Sequence, residues 1–389
     1  MENQKIKAII GEVFEEIAQG LETGLFHDKV ALGLTLLGSE LGVDNLLKGA
    51  EVFAKDNADV EVVLIGPKVE TNLTLVEVDS EDAQYAKMEE LLDSGRIQGC
   101  VTMHYSFPIG VSTVGRTVSP GFGKKLYLAT TTGTSSAHRN EAMVKNAIAG
   151  IIAAKATGIA QPTVGILNVD GARPVERALK ELSAGGYPIC FAESDRADGG
   201  SVMRGNDLLR GTPDIMVTDT LTGNILMKTF SSFHTGGNFE SVGDGYGPGI
   251  GEGFDRLVLI LSRVSGSPVV ANALAYAKGL VQGDIHKVAA QEYKKAKAAG
   301  LDEILAGLTK TKEKAQEEEV VAPPEEVTTG EVSGIDILEL EDAVKVLWKE
   351  GIYASSGMGC TGPVVMVHES KVGVAIQILA AAGYVSEDA

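Results

Sequence analysis

The sequence predicts an α/β protein with a three-layer, mostly parallel sheet, followed by a small C-terminal α/β domain. Three observations lead to this. Short runs of Val, Ile and Leu alternate with segments of helical periodicity, the pattern of βαβ units and a parallel sheet. The 389 residues are too many for one ordinary core, so two or three domains are expected. The alternation breaks once, between Lys310 and Gly330, where charge and proline replace apolar periodicity. The expected organisation is a body over 1–309, an acidic linker over 310–333 and a small domain over 334–389.

In order, Ile6, Ile9, Ile10, Val13, Phe14, Ile17 and Leu21 recur at helical spacing and predict an N-terminal helix within 1–22. Val30–Thr35 reads as a strand, Asn45–Ala54 as a helix and Val60–Gly66 as a second strand stopped by Pro67. A helix over 82–94 and a strand over Gly99–Thr102 follow. Ser112–Val118 is expected to begin a short helix, and Leu126–Thr130 to be a strand. A long Ala- and Ile-rich helix is expected from Glu141 to Thr157, then a strand over Thr163–Val169 and a helix over Pro174–Ala184. Strands are expected at 188–192 and 215–219, and apolar elements at 254–261 and 269–281. Beyond the linker come a helix (342–349), a cysteine-bearing loop, a strand (364–367) and a helix (371–382).

The formal net charge of −19 argues against a nucleic-acid partner, which demands clustered Lys and Arg. No run approaches the ~20 apolar residues of a membrane span, and the N-terminus lacks the apolar core of a signal peptide, so a cytoplasmic protein is expected. Cys100, Cys190 and Cys360 are far apart, with no CxxC pair, which favours free thiols over a zinc site or a disulfide framework.

Four stretches could hold chemistry. In Ser355–Pro363, Cys360 sits among Gly357, Gly359 and Gly362. Glycines let successive N–H groups converge on an anion, which would favour a thiolate and hold the oxyanion of acyl transfer; Gly359 and Thr361 flank that sulfur. His368, just after the following strand, is a candidate base for it. Thr130–Arg139 leads into a helix; Thr132, Ser135, Ser136 and Arg139 suit an anion there, or simple capping. In Asp219–Lys228, Asn224 and Lys228 lie four residues apart on one helical face and could hold one oxyanion. The glycine-rich stretch 239–253 lacks a P-loop ending and reads as a flexible loop that could order over a ligand.

On the segments 61–66, 158–168, 205–209 and above all Asp219–Thr229, residues from about 30 to 280 resemble the phosphate acyltransferases of bacterial phospholipid synthesis. That resemblance implies a fold similar to isocitrate and isopropylmalate dehydrogenases and to phosphotransacetylase. The chain departs from the pattern at Gly38–Gly42 and at Thr132–Thr134, and it adds the acidic linker and the Cys360 tail. With the tail included, it resembles the alpha subunits of component C of the glycine/sarcosine/betaine reductase complex. What this implies is an acetyl thioester on Cys360, formed from a carboxymethyl selenoether on selenoprotein A and cleaved by inorganic phosphate to give acetyl phosphate. It also implies a ketoacyl synthase-like component C beta subunit as partner, a homo-oligomer within a hetero-complex, and neither metal nor redox cofactor. Two alternatives stay open: a phosphate acyl- or acetyltransferase using a soluble acyl donor, and a non-catalytic assembly subunit.

Overall fold

The structure is a computed structural model that describes residues 29–196, 199–309, 320–336, 339–359 and 362–385. The helix expected within 1–22, and Cys360 with Thr361, lie outside the described residues. Among the described residues no helix is long and apolar enough to cross a membrane.

The body opens with β1 (Val30–Thr35), α1 (Val43–Asp56) and β2 (Val60–Gly66), the first βαβ unit, paired in parallel from Val30↔Val60 to Thr35↔Ile65. β3 (Thr74–Glu77), α2 (Glu81–Asp93) and β4 (Gly99–Thr102) extend this half. The second half contains β5 (Val111–Val118), β6 (Lys125–Thr134), α3 (Arg139–Ala156), β7 (Thr163–Leu167), α4 (Ala172–Ala184), β8 (Cys190–Phe191), β9 (Val202–Met203), α5 (Gly205–Arg210), β10 (Ile215–Val217) and α6 (Thr220–Ser232). The chain then returns through β11 (Gly247–Ile250) and β12 (Val258–Ile260) to α7 (Ser267–Gln282), α8 (Ile285–Ala298) and α9 (Leu301–Thr309). The sheet runs β3-β2-β1-β4-β12-β11-β5-β6-β10-β7-β8, with β9 beside β7. It is parallel except around the centre, where β12/β11, β11/β5 and β5/β6 are antiparallel.

Period-2 alternation sends each strand's side chains to opposite faces. Leu32, Leu34, Val62 and Leu64 pack with Leu46 and Phe53 of α1, Ile148 and Ile152 of α3, and Leu274 of α7. Val63 and Ile65 face the other way, with Met88 of α2, Cys100 and Val258. In the second half, Leu126, Leu128 and Met216 meet Met227 and Phe230 of α6. Helices on both faces make the expected three layers. Removing one fully buried leucine such as Leu34 would cost about 2–5 kcal/mol.

Two expectations are corrected. Ser112–Val118 is not helical: it lies in strand β5, whose β-branched Val111, Thr113, Val114, Thr117 and Val118 suit a pleated, buried surface. Nor is 239–253 a loose loop, since it contains β11, buried throughout between β12 and β5. Its glycines answer a packing demand. Gly247 has φ +84°, and a Cβ there would lie 1.7 Å from Val114 O.

The tail has its own core. β13 (Gly330–Ser333), within the stretch read as linker, pairs with β15 (Gly362–Val367), which also pairs with β14 (Ala354–Gly359). α10 (Leu340–Lys349) and α11 (Val372–Ala381) cover this three-stranded antiparallel sheet, burying Val332, Leu347, Val365, Val367 and Leu379. Arg177 of α4 ties the tail to the body: it reaches Glu339 at 3.1 Å and donates to the Tyr384 carbonyl at 3.1 Å.

Candidate active site

Ligands of open α/β sheets gather where strands end. Here residues beyond the ends of β1 (Glu40), β4 (Met103) and β12 (Leu261–Val264) meet Thr132 of β6, Asn224 and Lys228 of α6, and Tyr246, around a cleft of about 320 Å³.

The approach of α6 is set by Gly223. A Cβ there would lie 1.7 Å from Thr130 O, so only glycine lets the first turn rest on β6. The contact is completed by Asn224 Nδ2, which donates to Thr131 O at 3.0 Å, and by Thr220 Oγ1, which donates to Gly133 O at 3.1 Å. Gly223, Met227, Phe230 and Ser231 face inward, and Asn224 and Lys228 share the face that opens on the cleft. The N-terminus of α6 is already occupied. Asp219 caps it, accepting from Thr222 N at 3.1 Å and Thr222 Oγ1 at 2.6 Å. Burial raises the Asp219 carboxyl, but Thr222 and Arg139 outweigh it and hold the group below its usual range.

The opposite wall is tied down from beneath. Tyr246 N–H donates to Ile260 O at 2.9 Å, its carbonyl accepts from Thr131 Oγ1 at 2.7 Å, and its ring lies 5.3 Å from Lys228 Nζ. The neighbouring Asp244 pairs with buried Arg116 of β5, whose guanidinium lies 4.1 Å from the Tyr276 ring centre. Burial opposes the Arg116 charge, yet Asp244 prevails and holds it above its ordinary value.

Among the described residues neither Lys228 nor Arg263 pairs with a carboxylate, and both border the cleft with the Asn224 amide and Thr132. Two cations, an amide and a hydroxyl-bearing residue, against the one carboxylate of exposed Glu40 in the lining, leave a net positive site for a small oxyanion. Of the residues singled out in the sequence, the structure therefore brings together Thr132, Asn224 and Lys228. Among the described residues it does not bring Ser135, Ser136, Arg139 or His368 to them. Ser135 is buried, hydrogen-bonded to Ser112 at 2.8 Å and to Asn146. Ser136 Oγ accepts from His138 N at 3.1 Å, a local turn contact. Arg139 reaches Asp219 at 3.1 Å and Asp170 at 3.6 Å, so it serves the α6 cap rather than the cleft. Arg263 was not foreseen, because an isolated Arg in Ser262-Arg263-Val264-Ser265 has no motif to mark it.

In the tail, β14 and β15 pair up to Gly359↔Gly362, the residues on either side of Cys360 and Thr361. His368 lies beyond the other end of β15, where its ring nitrogen meets Ser370 Oγ at 2.9 Å. Six steps of extended strand, about 20 Å, separate it from Gly362, so the expectation of a base at His368 for Cys360 is withdrawn. Of the other thiols, Cys100 is fully buried and pushed well above its ordinary pKa by burial, and Cys190 is exposed on the edge strand β8.

Comparison with known proteins gives the following. The family model described as "Fatty acid synthesis protein" matches residues 30–366. A protein of Peptoclostridium acidaminophilum, the "Glycine/sarcosine/betaine reductase complex component C subunit alpha", is 65% identical over 98% of this chain and 99% of its own length. A "Phosphate acyltransferase" of Thermotoga petrophila is 25% identical over 52% of this chain and 68% of its own. Among solved structures, a branched-chain phosphotransacylase of Enterococcus faecalis aligns with a TM-score of 0.45 at 16% identity, covering 65% of this chain and 99% of that one.

Proposed function

The chain belongs to the fatty acid synthesis protein family and to the alpha subunits of component C of the glycine/sarcosine/betaine reductase complex, and on that premise we propose that it forms acetyl phosphate by phosphorolysis of an acetyl thioester on Cys360. An acyltransferase role is supported by the similarity of the body to proteins named phosphate acyltransferase. The observation that carries the finer reading is that the 65% identity extends over 98% of the chain, tail included, while the match to the phosphate acyltransferase covers only 52%. A tail that mattered only to a soluble-donor transferase would not need a cysteine among glycines.

In this reading the two-carbon unit reaches Cys360 from a carboxymethyl selenoether on selenoprotein A, with a ketoacyl synthase-like beta subunit as partner: the C–Se bond breaks, the methylene becomes a methyl group, the Cys360 sulfur bonds the carboxyl carbon, and selenium supplies the two electrons and leaves oxidised, as a selenenic acid that carries the lost oxygen. Inorganic phosphate binds in the cleft, its charge met by Lys228 and Arg263 and its oxygens oriented by Asn224 and Thr132. A phosphate oxygen attacks the thioester carbonyl. The C–S bond breaks, the electron pair stays on sulfur, and acetyl phosphate leaves. Glycine-flanked N–H groups around Cys360 would hold the oxyanion and the departing thiolate. The segment 310–329 tethers the tail and keeps the thioester at high effective concentration near the body. The test is arsenate-dependent hydrolysis of acetyl phosphate by the purified chain. Cys360→Ala should abolish it; full activity in that variant would leave direct transfer from a soluble donor.

A further inference from the structure

Glu240 is 2% exposed, and among the described residues no Lys or Arg pairs with it. A buried carboxylate without a cationic partner is costly to keep, and its contacts indicate what it does. One oxygen accepts from Tyr246 OH at 2.7 Å, and the other from Ser265 Oγ at 2.9 Å. The Tyr246 ring lies beneath Lys228, 5.3 Å from Nζ. Ser265 closes the turn that carries Arg263: Ser265 Oγ accepts from Ser262 N at 3.1 Å, Ser265 N donates to Ser262 O at 3.0 Å, and Asn45 Nδ2 holds Ser265 O at 2.9 Å. The Glu240 backbone bonds on both sides of the same turn, from its N–H to Val264 O at 2.9 Å and from Gly266 N to its own carbonyl at 2.8 Å. One side chain thus links the supports of the two cations that border the cleft.

We infer that Glu240 is a positioning residue of the cleft, holding the Tyr246 ring under Lys228 through one carboxylate oxygen and the Arg263 turn through the other. The inference rests on the reading of the cleft as the phosphate site. Glu240 touches no ligand; it fixes where two positive charges stand. Its own negative charge lies behind a ring whose electron-rich face meets Lys228, and a phenol donating to a carboxylate presents a richer face than a free one. The hydroxyl of Tyr246 is held well above its ordinary pKa by burial and by Glu240, so it remains a donor across the working pH range.

The experiment is a double-mutant cycle on the full chain, with inorganic phosphate titrated calorimetrically and thermal stability followed in parallel. Glu240→Gln should weaken phosphate binding about tenfold, the span of a well-placed cation contact. In a Lys228→Ala/Arg263→Ala background the same change should alter affinity less than about twofold, because the groups it positions are gone. An equal loss in both backgrounds, or no loss in a folded Glu240→Gln, would overturn the inference. If Glu240→Gln does not fold, Tyr246→Phe replaces it in the cycle: the ring stays, the link is cut, and a loss of about threefold confined to the background with both cations is expected. The reading of the cleft fails separately: Lys228→Ala/Arg263→Ala would then bind phosphate as tightly as the unmodified chain.

Discussion

Two glycine-rich stretches look alike in the sequence and are built for opposite purposes. In the body, Gly243 to Gly253 threads between β5 and β12, and Gly247 is there because a Cβ would overlap Val114 O at 1.7 Å. In the tail, the nearest atoms to a Cβ on Gly357 would be Met366 Cγ at 3.0 Å, Val364 Cγ2 at 3.5 Å and Met366 Sδ at 3.6 Å, side-chain atoms that can give way. In the first set, Gly247 and Gly251 are demanded by neighbouring backbone, the Val114 and Gly110 carbonyls, and Gly249 by the Phe107 ring. The second leads to Cys360, and in our reading is kept for the N–H groups it frees. Glycine content alone therefore does not locate a ligand; what a side chain would strike does.

The contrast can be broken in order of expected size. Gly247→Ala should destabilise the body by about 3 kcal/mol, combining positive-φ strain with an overlap that the central sheet cannot relax. A melting temperature within a degree or two of the parent would deny the packing role. Lys228→Ala should weaken phosphate by about tenfold while leaving the melting temperature unchanged, since the side chain is exposed. A stability loss without an affinity loss would make it a structural residue. Arg177→Glu should shift tail docking by about 1 kcal/mol, the scale of a half-exposed ion pair, and raising salt in the parent should act in the same direction. A fluorescence distance between labels on body and tail that ignores both would show that docking rests elsewhere. Gly357→Ala should change stability by less than about 1 kcal/mol, since its neighbours can move and the unfolded chain loses freedom.

Much of the body was legible because buried parallel strands announce themselves. Val30–Thr35, Val60–Gly66 and Gly99–Thr102 are apolar runs with turn signals at their ends, and they form β1, β2 and β4 at those bounds. β5 was missed because Ser112, Thr113 and Thr117 interrupt the apolar run; Ser112 and Thr113 are buried with hydroxyl partners such as Thr131, 2.7 Å from Thr113, which no periodicity reveals. In the site, Asn224 and Lys228 were legible from i, i+4 spacing on a helix. Arg139 looked like an anion ligand, being a cation at a helix start, but Asp219 and Asp170, distant in sequence, claim it. Arg263 and Glu240 escaped for the same reason in reverse: their meaning lies in groups distant in sequence, Lys228 across the cleft from Arg263 and Ser265 on the Glu240 carboxylate, assembled only by the fold.

The most direct measurement is peptide mapping of the full chain after exposure to labelled acetyl phosphate. The account predicts label on the peptide containing Cys360, released by added inorganic phosphate or by hydroxylamine, and absent from Cys360→Ala. Label on another residue, or a catalytically active chain that never becomes labelled, would contradict it.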